Sequence, residues 1–179
     1  MIDCCATGET IKDYLTGRDL PDCDDEQIRQ KMERLLVEIK DFDPRQIEVD
    51  RMFDLPGDDD RSIGRAELVV SVDGRPFMLI KSTRGSLVTR ERESLAAARL
   101  ACQPPVPVTV VTNGADAEIL ETRSGKVKAT GLDAIPNRRE ALVLLAQANI
   151  EPLPEAKREK EARIYRAFAT FQCSNFCPS

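Results

Sequence analysis

Apolar residues along this chain follow two different periods. From Asp24 onward, Ile28, Met32, Leu35, Leu36 and Ile39 recur at helical spacing, which predicts an amphipathic helix with one buried stripe. Asp24 precedes the stripe and Gln27 stands three residues on, as in a capping box. The helix is expected to end near Asp41, before Pro44. Ile47 to Phe53 then largely alternates apolar and polar, the pattern of a half-buried strand. A second strand is predicted over Ala66 to Val72, a tight hairpin at Asp73-Gly74, and a third strand over Pro76 to Lys81. The run Phe77-Met78-Leu79-Ile80 is continuously apolar, as in a central strand covered on both faces.

A second helix is expected over residues 89–102, stopped by Pro104, Pro105 and Pro107. Val108 to Thr112 reads as a buried strand, and Asn113-Gly114 as a turn into a strand over Ala117 to Thr122. Ser124-Gly125 turns the chain again, into Lys126 to Ala129. Two terminal helices follow at 138–149 and 155–170, separated by Pro152 and Pro154. The last carries an apolar patch of Ile164, Tyr165, Phe168 and Phe171. Residues 1–23 read as an irregular or short helical lead-in. A helix between the third and fourth strands needs a crossover, so that pair is expected to be parallel and the sheet mixed. The fold class is α/β, a mixed β-sheet flanked by helices.

Composition narrows the chemistry. Histidine is absent, which excludes a Ser-His-Asp triad, a Cys-His pair and any His-ligated zinc. Tryptophan is absent and aromatics are 4% of the chain, so the core must be built from Leu, Ile, Val and Ala, with six Phe residues as its bulky units. A formal net charge of −5 argues against a tight, non-specific nucleic-acid binder, though a local basic face remains open. No apolar run reaches the roughly 18 residues of a membrane span. The first residues lack a basic start and apolar stretch, so a cytoplasmic protein with its six cysteines as thiols is expected.

Several segments together resemble the N-terminal domain of the type I restriction enzyme R subunit, a PD-(D/E)xK nuclease domain. They are Glu26-Gln27-Ile28-Arg29-Gln30, Ile47-Glu48-Val49, Arg65-Ala66-Glu67-Leu68-Val69-Val70, Gly74-Arg75-Pro76-Phe77-Met78-Leu79-Ile80 and Val110-Val111-Thr112-Asn113-Gly114. The resemblance implies a restriction-endonuclease-like core over residues 24–135, preceded by the lead-in 1–23 and followed by a helical extension over 136–179. It also implies Mg²⁺ held by carboxylates, with a lysine that orients water or stabilises charge. Glu67 takes the place of the family's usual aspartate. The Glu-x-Lys is missing. If Lys81 fills the lysine place, Leu79 stands at the glutamate. If Lys81 fills the glutamate place, which the 14-residue step from Glu67 favours, Thr83 stands at the lysine. Either alignment loses a metal carboxylate, and the family's glutamine-containing helix motif is replaced by Thr89-Arg90-Glu91-Arg92-Glu93.

Glu67 and Lys81 are therefore the degenerate catalytic candidates, with Glu26 or Glu48 as substitute ligands should Mg²⁺ still bind. Arg65, Lys81, Arg84, Arg90, Arg92 and Arg99 are candidates for a phosphate-contacting face, against a plain solvated face paired with Glu91 and Glu93. Cys4, Cys5, Cys173 and Cys177 could supply four thiolates to zinc or an Fe–S cluster if the termini meet; free thiols at chain ends are the simpler reading. Asp58-Asp59-Asp60 reads as a solvated loop rather than a chelating run. Three functions follow: a degenerate nuclease-fold module binding nucleic acid or a protein partner without cleavage, an active Mg²⁺-dependent DNA endonuclease with a rearranged site, or a structural or interaction protein with no nucleic-acid role.

Overall fold

The computed structural model describes residues 9–57 and 62–176. Asp58, Asp59, Asp60, Cys4, Cys5 and Cys177 lie outside the described residues, as does the side chain of Cys173. The lead-in, expected to be irregular or a short helix, contains a small hairpin: β1 (Thr10–Lys12) pairs antiparallel with β2 (Asp19–Pro21). The connecting turn is held by Asp13, whose carboxylate accepts from the Thr16 amide and hydroxyl, so local side-chain bonds outcompete a helical turn.

Helix α1 (Asp24–Arg34) is preceded by Cys23, which makes no side-chain capping bond. The predicted capping box does not form, because Gln27 donates instead to Asp22. The last helical turn, Leu35–Ile39, widens into a π-helix, with the Lys40 amide reaching back to the Leu35 carbonyl. One extra residue in the turn shifts the stripe's phase. Met32 and Leu36 stay buried, while Ile39, predicted on the same stripe, is 68% exposed.

The main sheet comprises β3 (Ile47–Asp54), β4 (Ile63–Val72), β5 (Arg75–Ser82), β6 (Val108–Thr112), β7 (Ala117–Glu121) and β8 (Lys126–Thr130). Spatial order follows chain order, and every neighbouring pair is antiparallel except β5–β6. Asp73 and Gly74 both take positive φ in the β4–β5 turn, the conformation a two-residue hairpin with matching twist requires. Between β5 and β6 the chain crosses over through α2 (Glu91–Leu100). This is the parallel pair and mixed α/β sheet that the helix between them demanded.

Period-two alternation divides the core between two faces. Leu68, Val70, Met78 and Ile80 pack with Met32 and Leu36 of α1 and with Ala141 and Leu145 of α3 (Arg138–Gln147). Val69 and Leu79 pack on the opposite face, against Ala97, Ala98 and Ala101 in and just after α2 and Ala162 of α4 (Glu155–Phe176). The small α2 residues let α4 lie close. Among the described residues, no helix is long and apolar enough to cross a membrane.

Candidate functional site

The antiparallel register of β4 and β5 sets Leu68 against Ile80, so the next pair outward is Glu67 and Lys81. Both belong to the odd-numbered set that faces α2. Lys81 Nζ lies 2.6 Å from Glu67 Oε1, and the Ser82 amide donates to Oε2 at 2.8 Å. Each oxygen of the carboxylate therefore already accepts from a donor. From its first turn, α2 adds Glu93, whose Oε1 is 3.7 Å from Lys81 Nζ. Arg90 in turn donates to Glu93 Oε2 at 3.0 Å. Two acids and two bases alternate in one chain.

Burial alone would raise the Glu67 pKa, but the Lys81 charge, its hydrogen bond, the Ser82 amide and the Arg65 charge together hold it below the ordinary value. Burial alone would lower the Lys81 pKa, but Glu67 and Glu93 outweigh it and hold it raised. Both groups are thus ionised near neutral pH, each by virtue of the other. Thr83, the next residue on the Lys81 side of the strand, is buried and donates its amide to the Thr112 carbonyl.

A second charged cluster lies across the sheet edge, on α1. Arg29 donates to Asp13 at 2.6 Å and to Glu26 at 2.7 and 2.9 Å. Glu33 and Asp50 approach the same guanidinium at 3.7 and 3.8 Å, beyond hydrogen-bonding reach. Asp50 sits in β3 at φ +56°, opposite Glu67, between the Val49–Leu68 and Arg51–Ala66 pairs. Aspartate tolerates this left-handed conformation better than most residues. Glu33 is fully buried, no side chain among the described residues hydrogen-bonds its oxygens, and the Leu15 backbone amide gives it only partial support. Burial pushes its pKa up to about 7, against the lowering pull of Arg29. For Asp13, burial is outweighed by the two Thr16 bonds and by Arg29, and its pKa is lowered.

The structure brings Glu67 and Lys81 into direct contact. Glu26 is engaged by Arg29 and Gln30, and Glu48 by Arg51 at 2.8 Å. Among the described residues, no set of three acidic or cysteine side chains is arranged to hold a metal ion. Of the arginines, Arg65 pairs with Asp50 at 3.5 Å, and Arg84 with Asp25 at 3.0 Å and Asp24 at 3.6 Å. Arg92 is exposed at the start of α2. Arg99 is buried, donating to Glu161 at 2.7 Å and to the carbonyls of Thr122 and Arg123. It anchors α4 and the β7–β8 turn, apart from the Glu67–Lys81 pair.

Three contributors were not singled out in sequence. Glu93 read only as a surface partner for arginines, yet it is buried against Lys81. Asp50 falls at a polar position of a half-buried strand, where nothing in the pattern marks a positive φ. Tyr165 comes from α4: its hydroxyl donates to the Arg65 carbonyl and accepts from the Arg65 amide, both at 3.0 Å. It satisfies the β4 backbone at that position, and its ring meets Phe53 edge-on at 5.4 Å. A tyrosine 100 residues away carries no local signal of this role. A family model described as the type I restriction enzyme R protein N terminus matches residues 24–136. No curated protein and no solved structure matches the chain.

Proposed function

This chain belongs to the family of type I restriction enzyme R protein N-terminal domains, and from that premise we propose that it is a non-cleaving member, a module that binds nucleic acid along this sheet edge without hydrolysing it. The observation that carries the reading is the 2.6 Å contact between Lys81 Nζ and Glu67 Oε1. Nuclease chemistry in this family's fold calls for a divalent ion between carboxylates. The donor set here does not fit one. An ammonium occupies the space against Glu67, the other Glu67 oxygen accepts a backbone N–H, and Glu26 and Glu48 are committed to arginines. A divalent cation would have to displace a buried lysine that both neighbouring acids already neutralise.

The arginines support binding in a limited way. Arg65 and Arg84 are 56% and 40% exposed in their side chains, and pairs at such exposure contribute little, so a phosphate can compete for them. Arg92 adds an exposed cation. A second reading, docking of a protein partner, is favoured by a different observation: Arg65, Lys81, Arg84, Arg90 and Arg99 each lie within 4 Å of a carboxylate.

A plasmid-nicking assay with Mg²⁺ or Mn²⁺ is expected to show no cutting. Metal-dependent nicking that disappears in Glu67→Ala would overturn the non-cleaving reading. The double variant Lys81→Glu/Thr83→Lys restores the family's acid and lysine places, and Mn²⁺ should then raise its melting temperature but not the parent's. Binding to a duplex is expected to be weak and to fall steeply with salt, since phosphate contacts release counterions. Salt-insensitive behaviour, or no binding at low salt, would transfer the function to the protein-partner reading.

A further inference from the structure

α3 and α4 lie on opposite faces of the sheet, so the chain between them must pass from one face to the other. Residues 148–154 do this around the end of the sheet where β6 begins and β7 finishes. That is the opposite end of β6 from Val111, which pairs with Lys81. Pro152 and Pro154 stiffen this connector. It stands off the strands and leaves a cleft of about 950 Å³, within the range of small-molecule sites. The walls are largely apolar: Val108 and Ile119 from the sheet, Leu144 from α3, and Ile150 and Leu153 from the connector. Leu144 is 42% exposed, an apolar side chain left open to the cleft.

The charges around the cleft do not balance. Its acids are each matched: Glu161 by Arg99 at 2.7 Å, Glu121 by Lys128 at 3.5 Å, and Glu151 by Arg123 at 3.7 Å. Lys157 and Lys160 also line it, both exposed, and neither has a carboxylate partner among the described residues. Lys157 stands in the first turn of α4, where the helix dipole adds to its field, and Lys160 in the second. An apolar wall beside two cations that have no carboxylate partner among the described residues selects a ligand with an apolar body and an anionic head.

We propose that the cleft beneath the α3–α4 connector binds an amphipathic anion, its apolar part against Val108, Ile119, Leu144 and Leu153 and its head at Lys157 and Lys160. The site is separate from the Glu67–Lys81 edge and independent of whether that edge cuts or binds nucleic acid.

Titration calorimetry of the full chain with decanoate, at monomeric concentrations, tests this directly. One saturable site is expected, with decyltrimethylammonium, the same chain with the opposite charge, at least tenfold weaker. Lys157→Glu/Lys160→Glu should weaken decanoate at least tenfold with the melting temperature unchanged. Leu144→Asp, at a position already exposed, should do the same from the apolar side. Absence of saturable decanoate binding would overturn the proposal. So would equal affinity for the cationic chain, or retention of full affinity by both variants.

Discussion

Two buried charge clusters flank the same stretch of β4, and they are built on opposite terms. On the α2 side, Glu67, Lys81, Glu93 and Arg90 alternate acid and base, and both oxygens of Glu67 have donors. On the α1 side, Asp13, Glu26, Glu33 and Asp50 surround the single guanidinium of Arg29, which makes hydrogen bonds to only the first two. Arg65 reaches Asp50 from outside at 3.5 Å. Burial therefore has opposite consequences at Glu67 and Glu33. The matched cluster keeps Glu67 and Lys81 ionised, whereas the crowded one drives Glu33 toward its neutral form.

The largest effect should come from removing the centre of the matched cluster. Lys81→Met leaves Glu67 and Glu93 buried beside a methyl group. Breaking a buried pair from one side costs about 3–5 kcal/mol, so the midpoint in a urea titration at pH 7 should fall accordingly. The sign with pH follows from the shifts. The lowered Glu67 pKa contributes stability that is present above the ordinary carboxylate range and lost as pH falls through its folded value. The raised Lys81 pKa contributes stability that is present below the ordinary lysine value and lost as pH rises through its folded one. The parent's pair is therefore constant from about pH 5 to pH 10. The variant, in which Glu67 has lost its cation, should instead gain stability on acidification. A cost under about 1 kcal/mol would mean the pair is solvated and the two clusters do not differ in kind.

A smaller effect of opposite direction is expected at Glu33. Its folded pKa, raised to about 7, means the native state holds a proton that the unfolded chain releases nearer 4.5. Stability is then full below pH 4.5 and declines as pH rises to about 7, by roughly 3 kcal/mol at most. Glu33→Gln removes the titration and offers an amide donor to the surrounding carboxylates. The variant should match the parent near pH 4 and exceed it at pH 8, as measured by paired thermal melts. A parent whose stability is flat across this interval, or a variant weaker at pH 8, would show that Glu33 is ionised and satisfied.

The two clusters also differed in how far they could be read from the sequence. Glu67 and Lys81 were named in sequence through the family resemblance, and the register set by the Asp73-Gly74 turn is what brings them side by side. The parallel β5–β6 pair followed from chain connectivity alone. The α1 cluster was not legible. It depends on Asp13 arriving from a hairpin where an irregular or short helical lead-in was expected, and on a positive φ at Asp50. Each is a tertiary choice that overrides a local pattern. Arg99 shows the same limit: it was placed with Arg65, Lys81, Arg84, Arg90 and Arg92 on a candidate phosphate face, yet packing of α4 over small α2 residues buried it against Glu161. Tyr165 lies farther still, since only the folded chain brings the last helix to the Arg65 backbone.

The smallest effect separates a matched cluster from a merely crowded one. Arg90 ends the acid–base chain, with its side chain 27% exposed and Glu93 Oε2 at 3.0 Å. Glu93 keeps Lys81 at 3.7 Å when the arginine is removed. A partly exposed pair three residues apart at a helix start contributes about 0.3–1 kcal/mol. Arg90→Ala should therefore lower the urea midpoint several-fold less than Lys81→Met, and added salt should shrink the difference from the parent because water reaches this end of the chain. If Arg90→Ala matched Lys81→Met in cost, the lysine would no longer be the centre. Neutralisation of the two glutamates would then be shared along the whole row, and the reason for expecting Lys81 to exclude a divalent ion would move from one ammonium to the pair of cations acting together.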